Sequence, residues 1–193
     1  MARPKAFDRE EALRKAMKTF WEKGYDGTNT FHLVDSMNIS RSSLYETFGD
    51  KQTLFIEALN FYAQFINQKR STIFKKANTI KQGFSDFFDE IISNALDEEY
   101  PGGCFFVNTA ISLPCADERV KSAILLGAKK VEEEFVNLIE QGKKNGEFCI
   151  EKDSRAIARL FLGLLCGMNV VARIQKDRNV LSDMVKTALA SLS

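Results

Sequence analysis

Only three prolines interrupt this chain, Pro4, Pro101 and Pro114. In the long stretches between turn signals, apolar residues recur at three- and four-residue spacing rather than in alternation. A sheet needs the opposite pattern. The expectation is therefore an all-α fold of about nine helices.

The first helix is expected to open at Asp8, whose carboxylate can accept from free backbone amides, with Glu11 three residues on as in a capping box. Leu13, Ala16, Met17 and Phe20 then form one buried stripe, and Gly24 ends it. Thr28 is placed to cap a short second helix whose apolar positions are Phe31, Leu33, Val34 and Met37. Asn38, whose short polar side chain tolerates positive φ, stops that helix. Ile39 fills the turn, Ser40 caps a third helix, and Leu44 and Phe48 anchor it. Arg41, Ser42, Ser43 and Tyr45 are left largely unburied. A longer helix runs from Lys51 towards Ala77, with Leu54, Ala58, Phe61, Phe65 and Ile66 among its apolar positions. Further helices are expected near 79–98, 102–113, 117–143, 153–176 and 179–192.

Two short helices joined by a tight turn with an aliphatic at its centre, the second capped and carrying a polar face, are the sequence form of a helix-turn-helix. It spans about residues 29–48, and its second helix is built to enter a major groove. Net charge does not announce such a partner. The whole chain carries +1, and basic and acidic residues nearly balance over 1–56 as well. The case rests on placement: Lys51 begins a helix, so its ammonium and the exposed amides of that turn would both face an anion. Arg3, Lys5 and Arg9 would add backbone or minor-groove contacts from an arm.

The run Gly24-Tyr25-Asp26-Gly27-Thr28-Asn29-Thr30, the run Met37-Asn38-Ile39-Ser40-Arg41-Ser42-Ser43-Leu44-Tyr45-Glu46-Thr47-Phe48-Gly49-Asp50-Lys51 and the pair Leu54-Phe55 closely resemble the signature of the TetR/AcrR family. The resemblance covers residues 8–56 in detail. It departs from the commonest pattern at Asn38 and Ser42, where glycine is usual, and at Thr47, where histidine is frequent. It implies a transcriptional repressor that binds a palindromic operator in double-stranded DNA as a homodimer. It also implies a three-helix DNA-binding domain over 1–52 and a helical effector-binding and dimerisation domain over 53–193. Within the first, Tyr45 and Lys51 would grip phosphates, with Thr47 beside them. Thr28, Asn29 and Thr30 would cap and touch the DNA backbone, and Arg41, Ser42 and Ser43 would face base edges. Within the second, the segment holding Gly163 and Gly167 would join the last helix in a four-helix dimer interface.

Sixteen phenylalanines are many for 193 residues. Most must be core, but space between aromatic helices is where a small, mainly apolar effector would bind. Phe61, Phe65, Phe88, Cys104, Phe105 and Asn108 are the candidate lining, with Asn108 as the orienting polar contact. Cys104 follows Pro101-Gly102-Gly103 at an expected helix start, where a thiolate is favoured. The alternative is therefore a thiol-based sensor responding to electrophiles or oxidants through Cys104. Cys104, Cys115, Cys149 and Cys166 show no C-x-x-C spacing and His32 is the one histidine, so neither a metal site nor a cofactor is expected. There is no G-x-S-x-G and no phosphate-cradling glycine loop, which argues against an enzyme. No apolar run approaches the roughly 20 residues of a membrane span, and no apolar h-region follows the basic start. A cytoplasmic protein is expected.

Overall fold

Local capping chemistry sets the helix starts of the computed structural model, which describes residues 7–97, 102–112, 118–148, 151 and 153–192. Arg3, Lys5, Cys115, Cys149 and the three prolines lie outside them. Asp8 caps α1 (Arg9–Gly27) by accepting from the amides of Glu10 and Glu11 at 2.8 and 3.2 Å. The helix kinks at Gly24, whose φ of 70° suits a residue without Cβ. The cap of α2 (Thr30–Met37) is Asn29 and not Thr28. Asn29 accepts from the His32 amide at 2.9 Å, and His32 Nδ1 accepts from the Asn29 amide at 3.3 Å. Thr28 is fully buried and donates its hydroxyl to the Gly24 carbonyl at 2.7 Å, tying off the kink.

Asn38 does take the left-handed conformation, with φ 54° and ψ 49°. Ser40 then caps α3 (Arg41–Phe48), Asp50 caps α4 (Lys51–Lys76) and Thr79 caps α5 (Ile80–Leu96). The chain continues as α6 (Phe105–Ser112), α7 (Glu118–Lys144), α8 (Ser154–Ile174) and α9 (Arg178–Leu189), ending in a 3-10 turn over Ala190–Leu192. The fold is all-α, and α6 starts later than expected because Gly103 sits at φ 78°.

Two apolar cores organise these helices. The first gathers Phe20, Trp21, Leu33, Leu44, Phe48 and Phe55 from α1 to α4, and it also takes Phe105 from α6 and Val120 from α7. The second closes around Phe84, Phe88, Phe135 and Phe161. Helix α4 reaches both: Leu54, Ala58 and Tyr62 lie at four-residue steps in the first core, and Ile73 packs against the second. That stripe lies to one side of Phe61 and Phe65, so Phe65 is 49% exposed. Phe31, expected as a core position, is 71% exposed, because the buried face of the short α2 is occupied by Leu33 and Met37.

Helix α8 corrects a further expectation. It is 21 residues long and apolar enough, by length and composition, to cross a membrane. Only a third of its most apolar window is buried. Ala156, Leu160, Gly163, Val170 and Ile174 are exposed and Gly167 is half-buried, a sequence of apolar residues recurring every three or four positions along one face.

Candidate nucleic-acid interface and cavity

Helices α2 and α3 are pinned from beneath by Leu33, Met37, Leu44 and Phe48, which leaves Arg41, Ser42 and Tyr45 exposed and Thr30 half-exposed. The Tyr45 hydroxyl lies 3.3 Å from Thr30 Oγ1, and the Arg41 guanidinium stands 5.7 Å from the Tyr45 ring centre. Hydrogen bonding from Thr30, then from Arg41, holds the Tyr45 phenol below its ordinary pKa. Thr30, Arg41 and Tyr45 thus form one polar cluster. Ser42 and Ser43 turn their hydroxyls to Ser40 Oγ, at 2.9 and 2.8 Å, so both are partly engaged by the α3 cap. Thr47 is half-buried. Asn29 stays exposed while its side chain serves the α2 cap. Thr28 is sealed inside and can only position its neighbours.

Lys51 lies at the start of α4, with its Nζ 4.2 Å from the Tyr25 ring centre. Burial pulls its pKa down while Asp26 opposes the shift. The helix end beneath it is not an open anion site. The Asp50 carboxylate accepts from the Thr53 amide at 2.7 Å, and that bond holds Asp50 below the usual carboxylate range. What remains beside it is the half-buried ammonium of Lys51 on the Tyr25 ring. Arg9 is no arm residue: it pairs with Glu57 of α4 and lies 4.9 Å from the Phe48 ring centre.

A cavity of about 90 Å³ lies among α4, α5, α8 and the Gly103-Cys104 turn that precedes α6. Its apolar wall includes Ile66, Ile73, Phe87, Ile91 and Leu165, and its polar lining includes Tyr62, Arg70, Asn94 and Asn169. Of the six residues expected to line a pocket, Cys104 alone does so. Phe88 is sealed in the second core and Phe105 in the first. Phe61 packs against the first core, and Phe65 points to solvent over half its surface. Asn108 is committed elsewhere, donating to the Gly102 carbonyl at 2.9 Å and accepting from Arg173 at 3.0 Å. The Cys104 sulfur accepts from the Tyr62 hydroxyl at 3.4 Å.

Arg70 was missed. It is 2% exposed, and its terminal nitrogen donates to Asn67 at 2.6 Å and to Glu134 of α7. A signal was present: Leu54, Ala58, Tyr62, Ile66 and Arg70 follow one another at four-residue steps, which places an arginine on the buried face of α4.

Residues 12–58 match the family model for bacterial regulatory proteins of the tetR family, and residues 84–188 match that for the tetracyclin repressor-like C-terminal domain. The chain belongs to the TetR family. This TetR-family chain is 29% identical to the uncharacterized HTH-type transcriptional regulator YezE of Bacillus subtilis, each chain being covered in full. It is 27% identical to the HTH-type transcriptional repressor ComR of Escherichia coli, over 97% of this chain and 90% of ComR. A cysteine-substituted TetR-family regulator, CifR, solved with 26-bp double-strand operator DNA, superposes with a TM-score of 0.89. It is 30% identical, over 99% of this chain and all of CifR. The present protein is accordingly a DNA-binding transcriptional regulator, and members of its family are dimers that bind small effectors.

Proposed function

We propose that this TetR-family protein is a cytoplasmic, non-enzymatic repressor. It binds a palindromic operator through Thr30, Arg41, Tyr45 and Lys51, and releases it when a small, mainly apolar molecule enters the cavity bordered by Tyr62 and Cys104. The domain that reads DNA is taken as residues 1–52, with 53–193 sensing and dimerising.

The observation that carries the effector reading is a shared wall. Tyr62 lines the cavity and also belongs to the core beneath the helix-turn-helix. Cys104 lines it too, and the next residue, Phe105, meets Trp21, Phe55 and Tyr62 with ring centres 6.5, 5.6 and 5.8 Å apart. A packed core has discrete arrangements rather than a continuum, so a molecule that resets this wall also resets the seat of α1 and α4. Driving the operator from nearly full to nearly empty takes a differential affinity of about 5.5 kcal/mol between the two arrangements.

Dimerisation is supported by the exposed apolar face of α8. Among the described residues, nothing beyond its own helix backbone comes within 4 Å of a Cβ placed on Gly163, so no crossing among them accounts for the small residue there. A symmetry mate laid on this face would bury surface that a lone protomer leaves wet.

Selection from a random duplex pool tests the reading. The purified protein should enrich palindromes whose half-sites lie about 34–36 Å apart or a multiple of that. Enrichment of no symmetric sequence would overturn it. The thiol alternative draws no support from the geometry, in which Cys104 is one half-buried wall residue.

A further inference from the structure

We infer that the molecule this cavity accepts is small and uncharged and carries a hydrogen-bond acceptor oxygen, of carbonyl or ether type, that receives Nε–H of Arg70. The inference rests on the reading of the cavity as the effector site.

Three observations combine. Arg70 lines the cavity, is 2% exposed, and its Nε has no hydrogen-bond partner among the described residues although its terminal nitrogen has two. A buried charged donor left unmatched is costly, and such groups in folded proteins are nearly always satisfied by something. The missing partner is thus an acceptor. Second, the cations in the lining are already neutralised. Glu134 pairs with Arg70, and Glu90, itself in the lining, pairs with Lys69. A carboxylate would enter against two anions with no free cation to meet it, and an ammonium would meet the Arg70 guanidinium; neither charge is favoured in a low-dielectric space. Third, the rest of the wall is mainly aliphatic and aromatic, with Asn94 and Asn169 as its amides, and the space is about 90 Å³. That suits a compact, mainly apolar body better than a large flexible ligand.

The test uses the full-length protein and three compact probes: cyclopentanone, cyclopentane and isobutyrate. Binding is followed by the NMR signal of the Arg70 Nε–H, and operator affinity is measured in parallel. Cyclopentanone should move the Nε–H signal and bind at least about tenfold more tightly than the other two. Arg70→Lys keeps a cation beside Glu134 but removes Nε, so it should cancel the preference for cyclopentanone over cyclopentane. Should that variant fail to fold, Leu165→Phe, which fills the cavity from α8, should abolish the Nε–H shift while Arg70 stays in place.

Equal binding of cyclopentane and cyclopentanone would overturn the inference, as would tighter binding of isobutyrate. A Nε–H signal that no probe moves, with water as its sole partner, would overturn it too. The two readings fail separately. Cyclopentanone bound at Arg70 with operator affinity unchanged at saturation sustains the ligand class and sinks the effector role. Isobutyrate binding that lowers operator affinity sustains the effector role and sinks the ligand class.

Discussion

Helix α4 carries a cation at each of two very different stations. Lys51, at its start, rests on the Tyr25 ring, partly exposed, through a contact worth about 0.5–1 kcal/mol at such a site. Arg70, five turns on, is shut away from water and clamped by Glu134 and Asn67. The contrast separates a charge held in reserve from a charge built into the frame. An outside anion can draw Lys51 off a soft ring face at little cost. Arg70 is held by partners inside the fold, and removing it strands the groups around it.

The sharpest way to break this contrast is stability. Arg70→Met should cost about 2–3 kcal/mol in denaturant unfolding. That is below the usual figure for halving a buried pair, because the Glu134 side chain is one-third exposed. Lys51→Met should stay within about 0.5 kcal/mol. Equal losses would erase the distinction.

Operator binding should reverse the ranking. Lys51→Ala should weaken every duplex alike and lower the salt slope by about one, whereas Arg70→Met should leave that slope unchanged. Tyr45→Phe should cost about 1 kcal/mol of operator affinity at neutral pH and leave folding untouched. Fluorescence anisotropy at several salt concentrations measures all three.

Alkaline pH probes the outward-facing cluster together with Lys51, whose pKa burial pulls down. The Tyr45 phenol has its pKa lowered by the hydrogen bond with Thr30 and by Arg41, so it ionises before an ordinary tyrosine. A depressed folded value favours the folded state above the unfolded pKa of about 10, and that gain is lost as pH falls through the folded value; at neutral pH it contributes nothing. A phenolate repels phosphate and Lys51 loses charge, so operator affinity should drop as pH climbs towards 10, and Tyr45→Phe should remove only the Tyr45 part of that drop. An ultraviolet titration that places Tyr45 at the ordinary value would remove this effect.

How far the molecule was legible follows from how local each decision is. Asp8, Ser40 and Asn38 act on amides or dihedrals within a few residues, so their roles were readable. Thr28 failed by one position, since Asn29 offers a competing cap and the kink at Gly24 turns the threonine inward. The cavity was not legible from phenylalanine count. Phe88 and Phe105 are the right kind of residue but fill the two cores, and which helix faces meet is decided by contacts far apart in sequence. Arg70, by contrast, breaks an apolar stripe at helical spacing, and a charged residue on a buried face carries more information than another aromatic would.

The smallest expected effect concerns Cys104. Cys104→Ser changes one atom in the cavity wall and leaves Tyr62 an oxygen acceptor in place of sulfur. Effector response, read as the effector concentration that halves operator occupancy, should therefore change by less than about threefold. Complete loss of response would revive the thiol sensor.

The place of Phe105 bears on how freely such regulators can be recombined. A chimaera joined at residues 52 and 53, in the manner of an exchange of interchangeable modules, would take the ring at position 105 and the lower turns of α4 from a foreign sequence. Phe20 and Trp21 would then face a surface shaped for someone else's aromatic pair. The DNA-reading head is accordingly not a detachable cartridge. Its packing seat depends on α6, so an exchange of sensing domains has to carry the 104–106 segment across the junction or rebuild that seat.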